Sequence, residues 1–380
     1  MSVYKIKDLA IEISERVNNP KDSGHDKFVG LEHYDSGNVR IIRYGDASKM
    51  QSSAKAILKG DVLIARRNVY LKRAGIVDFD GLTSGDSIVL RAKNEVIRQI
   101  LPFIFNTDKF WKYASKFSDG SMSKRLSPKI LMEYEVNVPD KDADIKELST
   151  LLWSINDTLD SYKDMLRECD ELVKGQFVEM FGKLGKKYKN FENKSLGDCC
   201  IVNPTRNSNI VDNMKISFVP MTAVTEKGEI DSSNEKEYSE VKKGFTYFEE
   251  NDVLFAKITP CMENGKGAIA THLINGIGMG STEFHVMRPI KDISNSYWLY
   301  VLTTLNDFRT GAKKVMTGTG GQLRVPADYL KNYRVSLPPI ELQDEFAEFY
   351  KHIDKSKFVI KEAMNNAQKI FDGILRENLC

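Results

Sequence analysis

Residues 60–65 are Gly-Asp-Val-Leu-Ile-Ala, and residues 251–256 are Asn-Asp-Val-Leu-Phe-Ala. Each stretch is an apolar run that follows a polar turn, a pattern typical of a buried β-strand. The two stretches are similar, yet they lie almost half the chain apart. They therefore indicate that one long unit has been duplicated, at a period far longer than that of a solenoid repeat.

Further landmarks recur in the same order in the two halves of the chain. The corresponding pairs are residues 87–91 with 284–288, 126–128 with 324–326, and 136–139 with 335–338. The first of these pairs again predicts a strand, Ser-Ile-Val-Leu-Arg in one half and Phe-His-Val-Met-Arg in the other. After the proline that ends the last pair, each half becomes strongly helical.

Two long helices are predicted there, because apolar residues alternate at spacings of three and four, as in a coiled-coil seam. The first seam consists of Leu148, Leu152, Ile155, Leu159, Tyr162, Leu166, Cys169 and Val173. The second seam begins with Leu342, Phe346, Phe349, Ile353 and Ile360 and continues to Ile374. Each helix is expected to span roughly 30 to 35 residues, about 50 Å. A single such helix could pack on its own domain, but two that each close a repeat favour pairing with each other.

The fold class predicted from this layout is α+β, with two similar globular domains in a pseudo-twofold repeat, separated by an antiparallel coiled coil of two long helices. The expected boundaries are 1–140 for the first domain, 141–182 for the first helix, 183–339 for the second domain and 340–380 for the second helix. The paired helices would then act as a ruler between the domains.

Composition restricts the classes of function. A chain of 380 residues is too long for one ordinary core, and a net charge of +2 means that a nucleic-acid surface must be built from local clusters. The five cysteines form no CxxC pair and no zinc-like spacing with histidine, which favours a reduced, cytoplasmic protein. No apolar signal core or membrane-length apolar run occurs, so neither export nor membrane insertion is expected.

Catalytic motifs are missing from the sequence. There is no GxxxxGK[ST] phosphate loop, and the one dense glycine loop, residues 318–321, has no Asn-Pro-Pro-aromatic motif to accompany it. Asp140, Asp144 and Lys146 imitate part of a nuclease metal site, but carboxylates crowded before a helix are better explained by the helix dipole. We therefore expect no catalysis, no metal and no cofactor on this chain.

Basic clusters with amide-bearing neighbours occur at corresponding places in the two halves. Such residues can neutralise phosphates or bond to base edges, whereas any one of them alone could simply be a solvated loop residue. The candidate DNA-binding residues are Arg66, Arg67, Asn68, Lys72, Arg73, Lys124 and Arg125 in the first half, and Lys257, Asn264, Lys266, Lys313, Lys314, Gln322 and Arg324 in the second. Because these residues recur after matching landmarks, they are better candidates as a set than charged loop residues in general.

The duplicated plan resembles the specificity subunits of type I restriction-modification systems over essentially the whole chain. The resemblance rests on residues 60–63 and 251–254, on Ile258–Gly267 (ITPCMENGKG), and on Val335–Gln343 (VSLPPIELQ). The last two are specific signatures. The first half departs from the pattern, because Val138-Pro139-Asp140 lacks the second proline and residues 66–73 replace the Thr-Pro-Cys segment.

The resemblance implies that each domain is a target-recognition domain that binds one half of a split, asymmetric DNA site. It implies that the helices fix the gap between the half-sites and that two modification subunits dock along them. Those partners would bind S-adenosylmethionine and methylate adenine. Two restriction subunits, when present, would add ATP- and Mg²⁺-dependent translocation and cleavage. Such a chain would supply sequence recognition for the complex and perform no chemistry itself.

Two rival interpretations come from other functional classes. A coiled-coil scaffold could carry two domains that bind proteins instead of DNA, and salt-dependent binding to duplex DNA would distinguish the two cases. A self-sufficient DNA methyltransferase is disfavoured by the missing motifs, and binding of S-adenosylmethionine by the isolated chain would support it.

Overall fold

The structure is a computed structural model that describes residues 1–118, 125–184, 190–206 and 210–380. The chain divides into two compact units. Unit 1 comprises residues 1–164 and 360–380, and unit 2 comprises residues 165–359. Each unit therefore contains part of both long helices, which continue from one unit into the other.

Unit 1 combines two main sheets with short helices. Its strands are β1 (Ser2–Lys5), β2 (Ala10–Ile13), β3 (Arg16–Val17), β4 (Lys27–Val29), β5 (Gly45–Asp46), β6 (Ala54–Ile57), β7 (Val62–Ala65), β8 (Ala74–Ile76), β9 (Gly81–Thr83), β10 (Ser87–Ala92) and β11 (Glu135–Val138). Its helices are α1 (Ile6–Leu9), α2 (Glu95–Ile104), α3 (Asp108–Lys116), α4 (Pro128–Met132) and the first part of α5 (Asp142–Phe181). The sheet orders are β2-β10-β7-β8 and β3-β6-β9-β4-β5, and β1 pairs with β11.

Unit 2 is built from corresponding elements. Its strands are β12 (Glu192–Ser195), β13 (Cys200–Val202), β14 (Lys215–Val219), β15 (Glu235–Glu237), β16 (Thr246–Glu249), β17 (Val253–Ala256), β18 (Gly267–Ile269), β19 (Ile277–Gly280), β20 (Phe284–Pro289), β21 (Thr317–Thr319), β22 (Gln322–Arg324) and β23 (Arg334–Leu337). Its helices are α6 (Leu196–Cys199), α7 (Tyr238–Val241), α8 (Ser296–Thr304), α9 (Asn306–Lys314), α10 (Ala327–Asn332) and the first part of α11 (Ile340–Leu379). The sheet orders are β13-β20-β17-β18 and β15-β14-β19-β16, β12 pairs with β23, and β21 pairs with β22.

The internal duplication predicted from the sequence is present in the topology. The repeated landmark strands pair antiparallel in each unit, β7 with β10 and β17 with β20. Asparagine caps the next helix in both cases, because the side chain of Asn94 accepts from Ile97 N and that of Asn295 accepts from Trp298 N. All four residues of β7 and of β17 are buried, which explains their uninterrupted apolar sequence.

Helices α5 and α11 each contain 40 residues, which is more than the roughly 30 to 35 indicated by their seams but within the segments 141–182 and 340–380 assigned to them. The added turns are stabilised by packing against the globular part of a unit. At the end of α5, for example, Phe177 and Phe181 are buried in the core of unit 2. Each helix is about 60 Å long at about 1.5 Å per residue.

The two helices run antiparallel where they meet in unit 2. The ring of Phe346, early in α11, contacts Phe177 and Phe181, late in α5, with centroids 5.5 and 5.3 Å apart. Lys357, later in α11, forms a 2.6 Å ion pair with Asp170, which is earlier in α5. In unit 1, residues from the beginning of α5 and the end of α11 share one apolar core, with Phe103 against both Trp153 and Phe371.

Most of the predicted pairing residues belong to these cores or pack against them, whereas Leu166 and Ile360 belong to neither core. Leu148, Leu152, Leu159, Leu166 and Phe346 are buried, and Ile155, Leu342, Phe349, Ile353 and Ile360 are half-buried. The helix-start interpretation of the nuclease-like acids is confirmed, since Asp144 lies in the first turn of α5. Asp140 pairs instead with the amino group of Met1 at 2.6 Å. No helix in the described part of the chain has both the length and the apolar character that a membrane span requires.

One buried ion pair occurs at the same place in both units. Asp61 and Asp252, which directly precede β7 and β17, are each 1% exposed. Asp61 accepts from Nε and Nη2 of Arg91 at 2.8 Å, and Asp252 accepts from the same two atoms of Arg288 at 2.8 and 2.7 Å. Two parallel hydrogen bonds of this kind fix one strand end against the neighbouring strand.

Candidate nucleic-acid interface

The fold brings together the two basic clusters of each half, which are separated in sequence. In unit 1, Leu126 N donates to Arg66 O at 2.9 Å, and in unit 2, Val325 N donates to Lys257 O at the same distance. Isolated β-bridges join Arg67 to Arg125 and Ile258 to Arg324. The segment that follows the buried strand and the segment that precedes α4 or α10 therefore form one surface in each unit.

An acidic residue stands at the corresponding place on both surfaces. The carbonyl of Asp86 accepts from Arg66 N, and the carbonyl of Glu283 accepts from Lys257 N, both at 2.9 Å. These acids lie immediately before β10 and β20. Their side chains therefore point towards the basic residues gathered around the strand ends.

In unit 1 the side chain of Asp86 contacts two arginines. Arg67 Nε lies 3.0 Å from Asp86 Oδ1, and Arg125 Nη2 lies 3.8 Å from the same oxygen. The Nε atom of Arg66 is buried and has no hydrogen-bond partner among the described residues. A buried donor of this kind is costly unless an acceptor reaches it.

The other candidates of the first half have local partners. Arg73 turns inward, where Nη1 donates to Leu31 O at 3.0 Å and Nη2 donates to Arg67 O at 3.3 Å. Lys72 pairs with Asp108 at 2.7 Å, and Asn68 has a left-handed backbone with φ of 53°. Arg73 thus braces the loop that carries Arg67. Lys124 lies outside the described residues.

In unit 2 the acid holds a single arginine in a bidentate arrangement. Glu283 accepts from Arg324 Nε at 2.9 Å and from Nη2 at 2.8 Å. These bonds to Arg324 hold the pKa of the Glu283 carboxyl below its usual range. Burial lowers the pKa of the neighbouring Lys257 ammonium, and the negative charge of Glu283 opposes this shift. The surface therefore carries a fixed carboxylate between two cations.

Arg324 ends the hairpin of β21 and β22, which contains the dense glycine loop noted in the sequence. Gly320 and Gly321 form its turn with φ of 62° and 79°, a left-handed conformation that favours glycine. Residues 317–322 are all exposed. The glycines therefore build a projecting two-stranded hairpin, whereas a nucleotide-binding turn would lead into a helix.

The signature segment Ile258–Gly267 packs beside this hairpin. Thr259 N donates to Leu323 O at 2.9 Å, and Thr259 Oγ1 donates to Gly321 O at 2.8 Å. Arg309 supports the same segment from α9, donating to Met262 O at 2.6 Å and to Gly265 O at 3.1 Å. A third bond joins its Nε to Thr303 O at 2.7 Å. Burial lowers the pKa of Arg309 to about 10.

The remaining candidates of the second half lie around the segment. Asn264 is exposed, and Lys266 is half-buried, with Nζ donating to Met221 O at 3.2 Å. Lys313 pairs with Glu263 at 2.6 Å, and Lys314 is exposed at the end of α9. Gln322 is exposed on the hairpin.

Three functional candidates were missed by the sequence reasoning, namely Asp86, Glu283 and Arg309. The two acids had a detectable signal, because each directly precedes a repeated strand landmark, residues 87–91 or 284–288. Arg309 had none, since the residue at the corresponding place on α3 is Trp111. Its role follows only from the course of the backbone that its guanidinium contacts.

Comparison with known proteins gives a family for the second half of the chain. The family described as type I restriction modification DNA specificity domain matches residues 188–368. The specificity subunit of the type I restriction enzyme EcoAI from Escherichia coli is 43% identical over 136 residues, which is 35% of this chain and 23% of that protein. The EcoEI specificity subunit, also from E. coli, is 40% identical over 129 residues, or 34% of this chain and 22% of that protein. The chain thus aligns with less than a quarter of the length of these relatives.

Two solved structures resemble the fold over nearly the whole chain. One is a chain from a structure on complex assembly and conformational transition of the type I R-M system, with a TM-score of 0.53, 16% identity and coverage of 99% of this chain and 97% of that chain. The other is the type I restriction-modification S subunit from M. genitalium, with a TM-score of 0.52, 10% identity and coverage of 100% and 96%. At such identities the likeness concerns the fold alone. The α+β class with its repeated domains and long helices is confirmed, as is the family resemblance.

Proposed function

We propose, from the membership of residues 188–368 in the type I restriction modification DNA specificity family, that this chain recognises a bipartite DNA sequence as a non-catalytic specificity subunit. The observation that carries the proposal is the recurrence of one arrangement in both units. In each, a basic segment after a buried strand is hydrogen-bonded to a second basic segment, with an acid between them. Two similar surfaces suit two half-sites.

The chemistry of these surfaces suits duplex DNA. Arginine and lysine neutralise phosphates, and arginine, asparagine and glutamine can bond in pairs to base edges. The exposed hairpin of unit 2 has the dimensions of a two-stranded ribbon, which the major groove accommodates.

Catalysis would belong to partner subunits. Two modification subunits would bind S-adenosylmethionine and methylate adenine, and two restriction subunits, when present, would use ATP and Mg²⁺. Exposed apolar side chains on the long helices support a docked partner. In unit 2, Leu172, Phe358 and Val359 are 51%, 62% and 65% exposed. Large apolar side chains on a helix surface are typical of protein interfaces.

Salt-dependent DNA binding tests the proposal. In the complex of the full chain with its modification subunits, replacing both Arg67 and Arg125 by glutamine should weaken duplex binding about tenfold near 0.15 M salt, because each lost phosphate contact removes counterion release. The slope of log K against log salt should fall by about 0.9 per lost contact. Fluorescence anisotropy across a salt series measures both quantities.

Lys215→Gln serves as the control, because this lysine lies on β14 and pairs with Glu235 on β15, strands that carry none of the candidate residues. It should leave the affinity and the salt slope unchanged. A wild-type complex without salt-dependent DNA binding would favour the protein-binding scaffold instead. Binding of S-adenosylmethionine by the isolated chain would favour a self-sufficient methyltransferase.

The length of the helices should set the gap between the half-sites, as the family resemblance implies. Inserting seven residues into both α5 and α11 keeps the heptad phase and adds about 10 Å to each helix. The unspecified gap should lengthen by about three base pairs, at about 3.4 Å per base pair. A survey of methylated adenines in cells measures the gap. If the gap were unchanged while methylation was retained, the helices would not set the distance between the half-sites.

A further inference from the structure

We propose that Arg324 reads a guanine in the half-site bound by unit 2, and that Glu283 is the positioning residue that aims it. This inference rests on the proposed function and specifies the base that one part of the surface selects. Arg324 is 40% exposed at its side chain, and Glu283 is 24% exposed. The pair therefore lies at the surface with its carboxylate partly covered.

The carboxylate holds the guanidinium from the side. Glu283 takes the Nε hydrogen and one Nη2 hydrogen of Arg324, at 2.9 and 2.8 Å. The end of the guanidinium, formed by Nη1 and the second Nη2 hydrogen, is left as a parallel pair of donors. Among the described residues, this end of the guanidinium makes one long contact, of 3.4 Å, from Nη1 to the carbonyl of Gln322.

A guanine offers the matching pair of acceptors. In the major groove its O6 and N7 atoms accept two parallel hydrogen bonds from arginine, whereas adenine presents an amino donor in place of O6. Because the bonds to Glu283 already fix the plane of the guanidinium, less side-chain entropy is lost on binding. A guanidinium held in this way distinguishes guanine from adenine, because opposite adenine one of its N–H donors would have no acceptor.

The same carboxylate makes a phosphate a poor target for Arg324. An ionised Glu283 within hydrogen-bond distance cancels most of the net charge on the guanidinium, so the Coulomb attraction to a phosphate is weak. The two parallel N–H donors at the other end of the guanidinium can still form hydrogen bonds. Base-edge hydrogen bonds thus become the main attraction that remains.

The backbone that carries Arg324 is fixed on both sides. Val325 N donates to Lys257 O, and Thr259 N donates to Leu323 O, each at 2.9 Å. A reading side chain needs a rigid support to hold its donors within a fraction of an ångström. Unit 1 lacks the same arrangement, because Asp86 is shared by Arg67 and Arg125 and the Arg125 contact is 3.8 Å. The guanine assignment therefore applies to unit 2, and unit 1 provides an internal reference.

The experiment uses the complex of the full chain with its modification subunits and a library of duplexes that covers every base of the bound site. Arg324→Lys and Glu283→Gln should each reduce the preference for guanine at the same single position of one half-site, roughly 5- to 150-fold. Preferences in the other half-site should be unchanged. Glu283→Gln should in addition tighten binding to non-cognate DNA, because it removes a negative charge.

Arg334→Lys is the matched control, since Arg334 lies on β23 and donates to Asn193 O outside this surface. It should alter no base preference. A uniform loss of affinity in Arg324→Lys, with a lower salt slope, would show a phosphate contact and overturn the assignment, as would unchanged preferences in both variants. If Arg324→Lys failed to fold, Glu283→Gln would still decide the question. A wild-type complex without sequence preference would instead overturn the proposed function.

Discussion

The Asp252→Asn variant is expected to lower the free energy of unfolding of unit 2 by about 2 to 4 kcal/mol. Asp252 is 1% exposed and accepts from Arg288 Nε and Nη2 and also from Glu249 N at 2.8 Å. The amide cannot accept from all three donors, and it leaves a guanidinium without its carboxylate. The loss falls short of that of a fully buried pair, because Arg288 is 23% exposed and also contacts Glu249.

Asp212→Asn is the matched control in the same unit. Asp212 is 66% exposed and pairs with Lys242, so its removal should cost below about 1 kcal/mol. Urea unfolding followed by tryptophan fluorescence measures both variants, and Trp298 is the tryptophan of unit 2. Asp61→Asn should give a similar loss in unit 1, where Asp61 pairs with Arg91. Equal stability changes in Asp212→Asn and Asp252→Asn would contradict the assigned role of the buried pair.

The Arg309→Met variant is expected to disorder the segment Ile258–Gly267 and to weaken specific DNA binding at least tenfold. Methionine fills similar space but donates no hydrogen bond, so the carbonyls of Thr303, Met262 and Gly265 lose the bonds that Arg309 donates to them. Burial already depresses the pKa of Arg309 to about 10, which marks a desolvation cost that methionine removes. The removal of this desolvation cost offsets part of the free energy lost with the hydrogen bonds. The main effect should therefore be local disorder and not unfolding of the whole unit.

Hydrogen exchange measures the local effect directly. Amides of residues 258–267 should exchange faster in Arg309→Met, while those of β7 and β10 in unit 1 keep their protection. Thr310→Met, at the next and exposed position of α9, is the control and should change neither exchange nor affinity. Faster exchange without any loss of DNA affinity would show that this segment does not take part in recognition.

Several features of the fold could be predicted because they depend on residues close together in sequence. The buried runs of β7 and β17 and the alternating seams of α5 and α11 each follow from local apolar spacing. The seams alone underestimated the length of the helices, since the last turns of α5 are stabilised by contacts of residues such as Phe177 and Phe181 with a domain core. Periodicity alone does not contain that information.

The sequence suggested the composition of the candidate site but not its arrangement. Recurrence of basic residues after matching landmarks suggested the two candidate surfaces. The candidate Arg73, however, donates to backbone carbonyls, as does Arg309, which the sequence reasoning missed. Charge type in a sequence does not say whether a guanidinium faces solvent or supports a loop. Only the path of the surrounding backbone distinguishes the two.

The sequence by itself determined the duplicated plan, the two long helices and the choice of candidate recognition residues, because periodicity and repetition are properties of local spacing. The tertiary structure decided which side chains meet. Arg324 and Glu283 are 41 residues apart, and they form a pair because the register of β17 with β20 and the bridge from Ile258 to Arg324 bring their backbones together. Contacts between strands depend on register across the sheet, which no local pattern specifies.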